Sequence, residues 1–166
     1  MVLACRFMKH LSVGSLNVLE HVEEPERFIS ELVRVAQIGG RIVLSSPNFR
    51  RVLGFRDYHP RMRGLANKWR NWLRLREKRR QIRSAPDQVR FDHMPAIVKE
   101  PFTPDDDAIV VTNALEMEFF LTRAGCQVER VSCTDRYVTK PLDLLLNLTP
   151  LRYAMFNAFL MARRQR

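Results

Sequence analysis

Few side chains in this sequence combine a reactive type with a suggestive position. Glu20 and His21 are adjacent. Histidine titrates near neutrality, so His21 could take a proton from a substrate hydroxyl. The other reading makes the pair caps of the helical region that follows. His59 and His93 each have a carboxylate close by in sequence, Asp57 and Asp92. A metal centre needs three or four convergent ligands, and nothing in this spacing makes these four converge. Asp105-Asp106-Asp107 reads as a solvated turn ahead of a strand, with cation binding as the alternative. Cys5, Cys126 and Cys133 have no metal-ligand spacing. An odd, sparse set of cysteines suits a reduced, cytoplasmic protein, and no metal site is expected.

The elements that would position these groups come from a chain of 166 residues, one domain's worth. Hydrophobic residues make up 46% and charged residues 28%, which excludes wholesale disorder. No run of about 18 apolar residues is present to span a membrane, and no signal peptide is read at the N-terminus. The net charge is +10 and unevenly placed. Residues 50–90 hold 14 Lys and Arg against 3 Asp and Glu, a net of +11, so the remainder sums to −1. A near-neutral body therefore carries a basic insertion over residues 49–107. Such a segment points to an anionic partner: nucleic acid, an acidic membrane surface or a phosphorylated substrate.

Leu11–Leu19 has the length and apolar content of a buried strand running into a turn. Pro25, flanked by Glu23, Glu24 and Glu26, marks a helix start, because proline has no N–H to leave unpaired and acids favour the positive end of the helix dipole. Phe28, Leu32, Val35 and Ala36 predict its apolar stripe, and Gly39-Gly40 its end. Arg41–Ser46 predicts a central strand closed by Pro47, so the first 47 residues read as strand, crossover helix and parallel strand.

A loop is expected over 48–60 and a helix over 61–83. In that helix Leu65, Trp69, Trp72 and Leu73 form an apolar stripe that Arg76, Arg79, Arg80 and Arg83 then replace on the same face. Three readings stand for it: a solvated basic helix whose tryptophans pack on the body, a lid or membrane-surface element, or a nucleic-acid-binding helix. Residues 84–107, with four prolines, read as loop, and Ile109–Val111 as a short strand. Asn113 and Glu116 have capping-box spacing, opening a helix with Met117, Phe120, Leu121 and Ala124 on one face and Gly125 at its end. Cys126–Cys133 reads as a strand whose Val128/Val131 spacing breaks strict alternation, and Leu142–Leu148 as a helix. Phe156–Ala162 suits helix or strand equally.

In Asn17-Val-Leu-Glu-His-Val22, Pro25-Glu-Arg-Phe28, Gly39-Gly40 and Arg41-Ile-Val-Leu-Ser-Ser-Pro-Asn48, the sequence resembles the C-terminal half of class I S-adenosylmethionine-dependent methyltransferases. The resemblance is to the broad group that includes the ubiquinone-pathway O-methyltransferases. It is dense over 15–48, looser over 113–133, and returns at Asn157–Arg163, which is similar to the family's last, antiparallel strand. About half the chain lies under it.

The resemblance implies an α/β fold: a partial Rossmann-like methyltransferase sheet, from the family's fourth strand onward, with helices on its faces and the basic helical insertion. It implies S-adenosylmethionine as cofactor, with Ser15, Leu16 and Asn17 lining its pocket, and a small-molecule or lipid-like methyl acceptor that the insertion helps to roof. His59 and His93 would then be candidates for acceptor contacts.

The sequence also departs from the family. The glycine-rich loop after the first strand and the acidic residue after the second, which hold the methionine and ribose ends of the cofactor, do not occur here. Isoleucine stands at 38 where the family's turn has proline. The chain is accordingly expected to be an N-terminally truncated enzyme, a mis-called reading frame or a C-terminal piece that works with another chain, and to expose the apolar edge of its first strand. A non-enzymatic basic module holding anionic membrane or nucleic acid through residues 50–90 is the alternative.

Overall fold

A computed structural model describes residues 10–53, 59–102, 105–134, 140–155 and 157–166. Cys5, Asp57 and Phe156 lie outside these residues. Strand β1, His10–Leu16, is followed by a one-turn 3₁₀ segment at Leu19–His21 and helix α1, Pro25–Val35. Proline takes the first turn of α1, as its chemistry dictates. The buried stripe is Pro25, Ile29 and Val33, one position round from the expected one, with Phe28 and Leu32 half-buried on its flank. The helix also ends sooner than Gly39-Gly40 suggested. Ala36 already has extended backbone, and strand β2 runs Ala36–Pro47, with Gly39 in the left-handed region at φ 79°.

The basic insertion follows. A 3₁₀ turn at Pro60–Met62 leads into helix α2, Leu65–Ser84, a span of about 30 Å. Two short strands, β3 (Asp92–His93) and β4 (Val110–Val111), pair antiparallel within the stretch expected to be loop and strand. Helix α3, Ala114–Arg123, starts on the expected cap: Asn113 Oδ1 accepts the Glu116 N–H at 3.0 Å. Strand β5, Cys126–Thr134, helix α4, Lys140–Asn147, and strand β6, Asn157–Arg164, complete the chain, which settles the ambiguous last segment as strand.

The main sheet has the order β1-β2-β6-β5. β1 and β2 are parallel and joined through α1, whereas β6 is antiparallel to both its neighbours. The chain is therefore a mixed sheet flanked by helices, a partial Rossmann-like fold. The broken Val128/Val131 alternation is a β-bulge, since the register slips between Val128 and Arg130 against β6.

One face of the sheet is closed. Ile42, Leu44, Ala158, Leu160, Ala162 and Val131 are buried there with α1 and α3, through Ile29, Val33, Met117 and Leu121. On the opposite face Val43, Phe159 and Met161 are only half-buried and Leu16 is exposed. Leu11 and Leu16 on β1 are 73% and 61% exposed, so the strand whose length suggested burial is an edge strand, with the exposed apolar edge that the missing family features implied, and that edge has no partner among the described residues. Parallel sheets are ordinarily covered on both faces.

Candidate functional site

In open α/β sheets, ligands sit outside the carboxyl ends of parallel strands. Here that edge is built from the ends of β1 and β2 and the loops that follow. Ser15 is 6% exposed, and its hydroxyl has no hydrogen-bond partner among the described residues. Leu16 is exposed. Asn17 turns the chain with φ 53°, a left-handed conformation that asparagine tolerates better than most residues, and its N–H donates to Ser45 O at 2.9 Å. The three expected cofactor residues are thus together at the strand end, with Ser15 inside and Leu16 outside.

The next turn holds a group whose burial the sequence did not signal. Glu20 has no exposed surface and does not cap α1, whose N-cap is Glu24. It reaches across to β2, where Ser46 Oγ lies 2.8 Å from Glu20 Oε2 and 2.8 Å from Thr112 Oγ1, and the Thr112 hydroxyl donates to Pro47 O at 2.7 Å. Burial pushes the Glu20 carboxyl above its ordinary value of 4.5, against the pull of its backbone hydrogen bond, Ser46 and His21. The Ser46 and Thr112 hydroxyls thus link the buried Glu20 carboxyl to the carboxyl end of β2.

His21 lies beside Glu20, with Nε2 at 3.8 Å from Oε1, and its Nδ1 is 3.4 Å from Asp107 Oδ2. Ligand atoms of Glu20, His21 and Asp105 lie within 4.8 Å of one another, a group that could hold a cation. The sequence could not bring Asp105 to this place. The acidic turn is also less solvated than expected: Asp106 is buried and pairs with Lys99 at 3.1 Å, while Asp107 is exposed.

After β2, Asn48 fastens the strand end, donating from Nδ2 to Tyr153 O and Met155 O and accepting the Arg50 N–H. Arg50, 4% exposed, pairs with Asp92. Lys78 of α2 reaches Asp92 at 3.0 Å and the buried Glu116 at 2.8 Å. Burial raises the Glu116 pKa while Lys78 and Arg50 pull against it. Asp92 goes the other way: desolvation is the largest single influence and raises it, but Arg50 and Lys78 together hold it below its ordinary value. This cluster clips α2 to α3.

The two insertion histidines do not converge. His59 is 3% exposed and packs edge-on against Phe49 at 5.0 Å, while its Nδ1 accepts the Arg61 N–H. Burial, then Arg61, lowers its pKa. His93 is exposed, with Nε2 3.1 Å from Glu23 O. Phe49, Arg50, Asp92, His93 and residues of α2 line a cavity of about 700 Å³ beyond the carboxyl end of β2.

Trp69 and Trp72 do not pack on the body. They stack on each other at 5.0 Å and are 60% and 37% exposed, with Leu65 and Leu73 exposed beside them. Arg76 lies 4.7 Å above the Trp72 ring. Only Leu75 and Lys78 of α2 are buried, so neighbouring elements are satisfied without the tryptophans.

A solved structure shares this fold. The chain is similar to a putative S-adenosylmethionine-dependent methyltransferase from Listeria monocytogenes, with a TM-score of 0.51 and 10% identity, over 96% of this chain and 63% of that one. It is also similar to the [4+2]-cyclase SpnF, with a TM-score of 0.47 and 14% identity, over 95% of this chain and 51% of that one. The chain thus spans about half to two thirds of these structures' length. No family model matches the sequence, and no curated protein matches it at significance. The likeness is one of fold alone, a Rossmann-like fold.

Proposed function

We propose that this chain is the carboxyl-terminal part of a class I methyltransferase-type unit, which transfers a methyl group from S-adenosylmethionine to an acceptor held beyond the carboxyl ends of β1 and β2. The observation that carries the reading is the sheet order β1-β2-β6-β5, in which a final antiparallel strand is inserted between β2 and β5. The unpaired outer edge of β1 and the half-covered face with Leu16, Val43, Phe159 and Met161 are where further strands and helices would add.

The fit to the cofactor is partial. Ser15, whose buried hydroxyl has no partner among the described residues, and the turn at Asn17 supply one wall. The glycine loop and ribose-binding acid of the family do not occur in this sequence, so cofactor affinity in this chain by itself is weak. The chain's own part in the reaction is positioning, the orientation of an acceptor against a methyl donor.

Titration of ¹⁵N-labelled protein with S-adenosylhomocysteine tests this. Saturable shifts confined to the amides of Ser15–Asn17 and the loop after Pro47 are expected. An unchanged spectrum at millimolar ligand removes the cofactor-wall assignment.

A second reading, attachment of α2 to an anionic membrane surface, is favoured by one observation. The exposed Leu65, Trp69, Trp72 and Leu73 run directly into Arg76, Arg80 and Arg83. Tryptophan belongs at the lipid headgroup level and arginine at phosphate. Among the described residues no helix is long and apolar enough to cross a membrane, so the contact would be peripheral.

A further inference from the structure

The 700 Å³ cavity has a wall composition that the methyl-transfer reading does not require. Four arginines line it from three parts of the chain: Arg50 after β2, Arg61 in the 3₁₀ turn, and Arg70 and Arg74 on α2. Among the described residues the one carboxylate on the wall, Asp92, is already shared between Arg50 and Lys78. Arg74 pairs with Glu77 at 2.9 Å on the outer side of the helix. Arg61 and Arg70 have no carboxylate partner among the described residues. Among the described residues the cavity therefore keeps an excess of positive charge.

The wall is also built in advance. Asn67, Arg70, Asn71 and Arg74 follow one another at helical spacing on one face of α2. The two asparagines use their amide protons on backbone carbonyls: Asn67 donates to Pro60 O at 3.0 Å and Arg63 O at 2.8 Å, and Asn71 to Arg51 O at 3.1 Å and Phe49 O at 3.3 Å. They tie α2 to the turn and to the end of β2 and fix the distance between the arginines. From the other side, Lys78 and Arg50 hold the same walls through Asp92 and Glu116. Ligand sites of drug-sized molecules occupy roughly 300–1,000 Å³, so the volume suits a small molecule rather than a polymer.

We propose that this cavity binds a small ligand carrying a phosphate group, with Arg61 and Arg70 as its principal contacts and Arg50 at its floor. Guanidinium forks arriving from separate elements match a tetrahedral dianion, which offers acceptor oxygens in several directions. Phe49 and Arg50 lie just past the carboxyl end of β2, so the phosphate-bearing molecule is the methyl acceptor; that last step rests on the methyltransferase reading, whereas the anion site does not.

Calorimetric titration of the whole chain at about 0.15 M salt, where exposed charges more than about 8 Å apart are largely screened, tests the site. Glycerol 3-phosphate and the soluble lipid dihexanoyl phosphatidic acid are the two probes, which separate a free phosphate from a lipid headgroup. Saturable one-to-one binding of either is expected. Arg61→Gln with Arg70→Gln should weaken it at least about tenfold, because a hydrogen bond to a charged group contributes about 1.5–3 kcal/mol. Arg80→Gln with Arg83→Gln removes the same charge from the far end of α2 and should change binding less than about twofold. Equal losses in the two double variants would reduce the site to diffuse attraction and overturn the proposal, as would no saturable binding of either probe. The S-adenosylhomocysteine shifts at Ser15–Asn17 are read separately, so failure of the anion site and failure of the cofactor wall are distinguishable.

Discussion

Lys78 Nζ lies 2.8 Å from Glu116 Oε1, on a carboxylate with no exposed surface. The lysine comes from a helix that is basic on nearly every side, and the glutamate from the first turn of α3. Among the described residues, removing Lys78 leaves the buried Glu116 with only the more distant Arg50, at 3.8 Å, to offset its charge. Lys78→Met should therefore destabilise the fold by about 3–5 kcal/mol, the typical cost of orphaning a buried ion. Adding Glu116→Gln should recover part of that loss, because the orphan is then neutral. Urea unfolding of the two variants checks it, and additive losses would show that the pair is not coupled.

How much of this was legible beforehand depended on whether the signal was local. Pro25, the Asn113/Glu116 spacing and the uneven Val128/Val131 alternation each reported a feature within a few residues of itself, and they appear as the start of α1, the cap of α3 and the bulge of β5. The end of α1 was misplaced because Gly39 serves a left-handed turn inside β2 rather than the helix cap. Glu20 read as a helix cap and Lys78 drew no notice, because their partners, Ser46 and Glu116, are supplied by distant elements. The three readings of Trp69 stayed open for the same reason: helical spacing reveals a stripe but not what covers it.

Glu20 makes stability depend on pH in a direction opposite to that of an ordinary salt-bridged acid. Its folded pKa is raised, so above its ordinary value of 4.5 the unfolded chain releases a proton that the folded chain retains. Stability then falls as pH rises from there through the folded pKa. Glu116 contributes with the same sign, so the comparison must be between a variant and the parent. Glu20→Gln keeps a hydrogen-bond partner for Ser46 and cannot ionise. Thermal melts from about pH 4 to about pH 8 should show the variant gaining on the parent as pH rises. A constant difference would mean that Glu20 does not titrate in this range.

Asn17 allows backbone and side-chain roles to be separated. Its φ of 53° costs a β-branched residue roughly 1–2 kcal/mol, and glycine little or nothing. Asn17→Val should lower the melting temperature and Asn17→Gly should not. If the side chain also lines the cofactor wall, Asn17→Gly should weaken the S-adenosylhomocysteine shifts at Ser15 while leaving stability intact. Unchanged shifts would confine Asn17 to the turn.

The exposed face of α2 makes its own prediction. Trp69 and Leu73 touch little of the body, so Trp69→Ser with Leu73→Ser should leave thermal stability within about 0.5 kcal/mol of the parent. Co-sedimentation with vesicles containing phosphatidylserine should fall sharply in the same variant if α2 lies on a membrane. Undiminished sedimentation would assign the attraction to arginine charge alone, and a large loss of stability would mean that the tryptophans are packed after all.

The outer edge of β1 is the remaining liability. Its Leu11 and Leu16 are exposed, and the strand pairs only with β2 among the described residues. Such an edge offers backbone donors and acceptors together with apolar side chains, the combination that templates pairing with a second chain. Leu11→Lys with Leu16→Lys places two positive charges along it without touching the closed core face of Ile42 and Leu44. Light scattering after size-exclusion chromatography should show less self-association in the variant, with the melting temperature unchanged. Salt should then restore part of the association, because the added charges act by screened repulsion. A variant that associates as readily as the parent would move the sticky surface to the half-covered face with Val43, Phe159 and Met161.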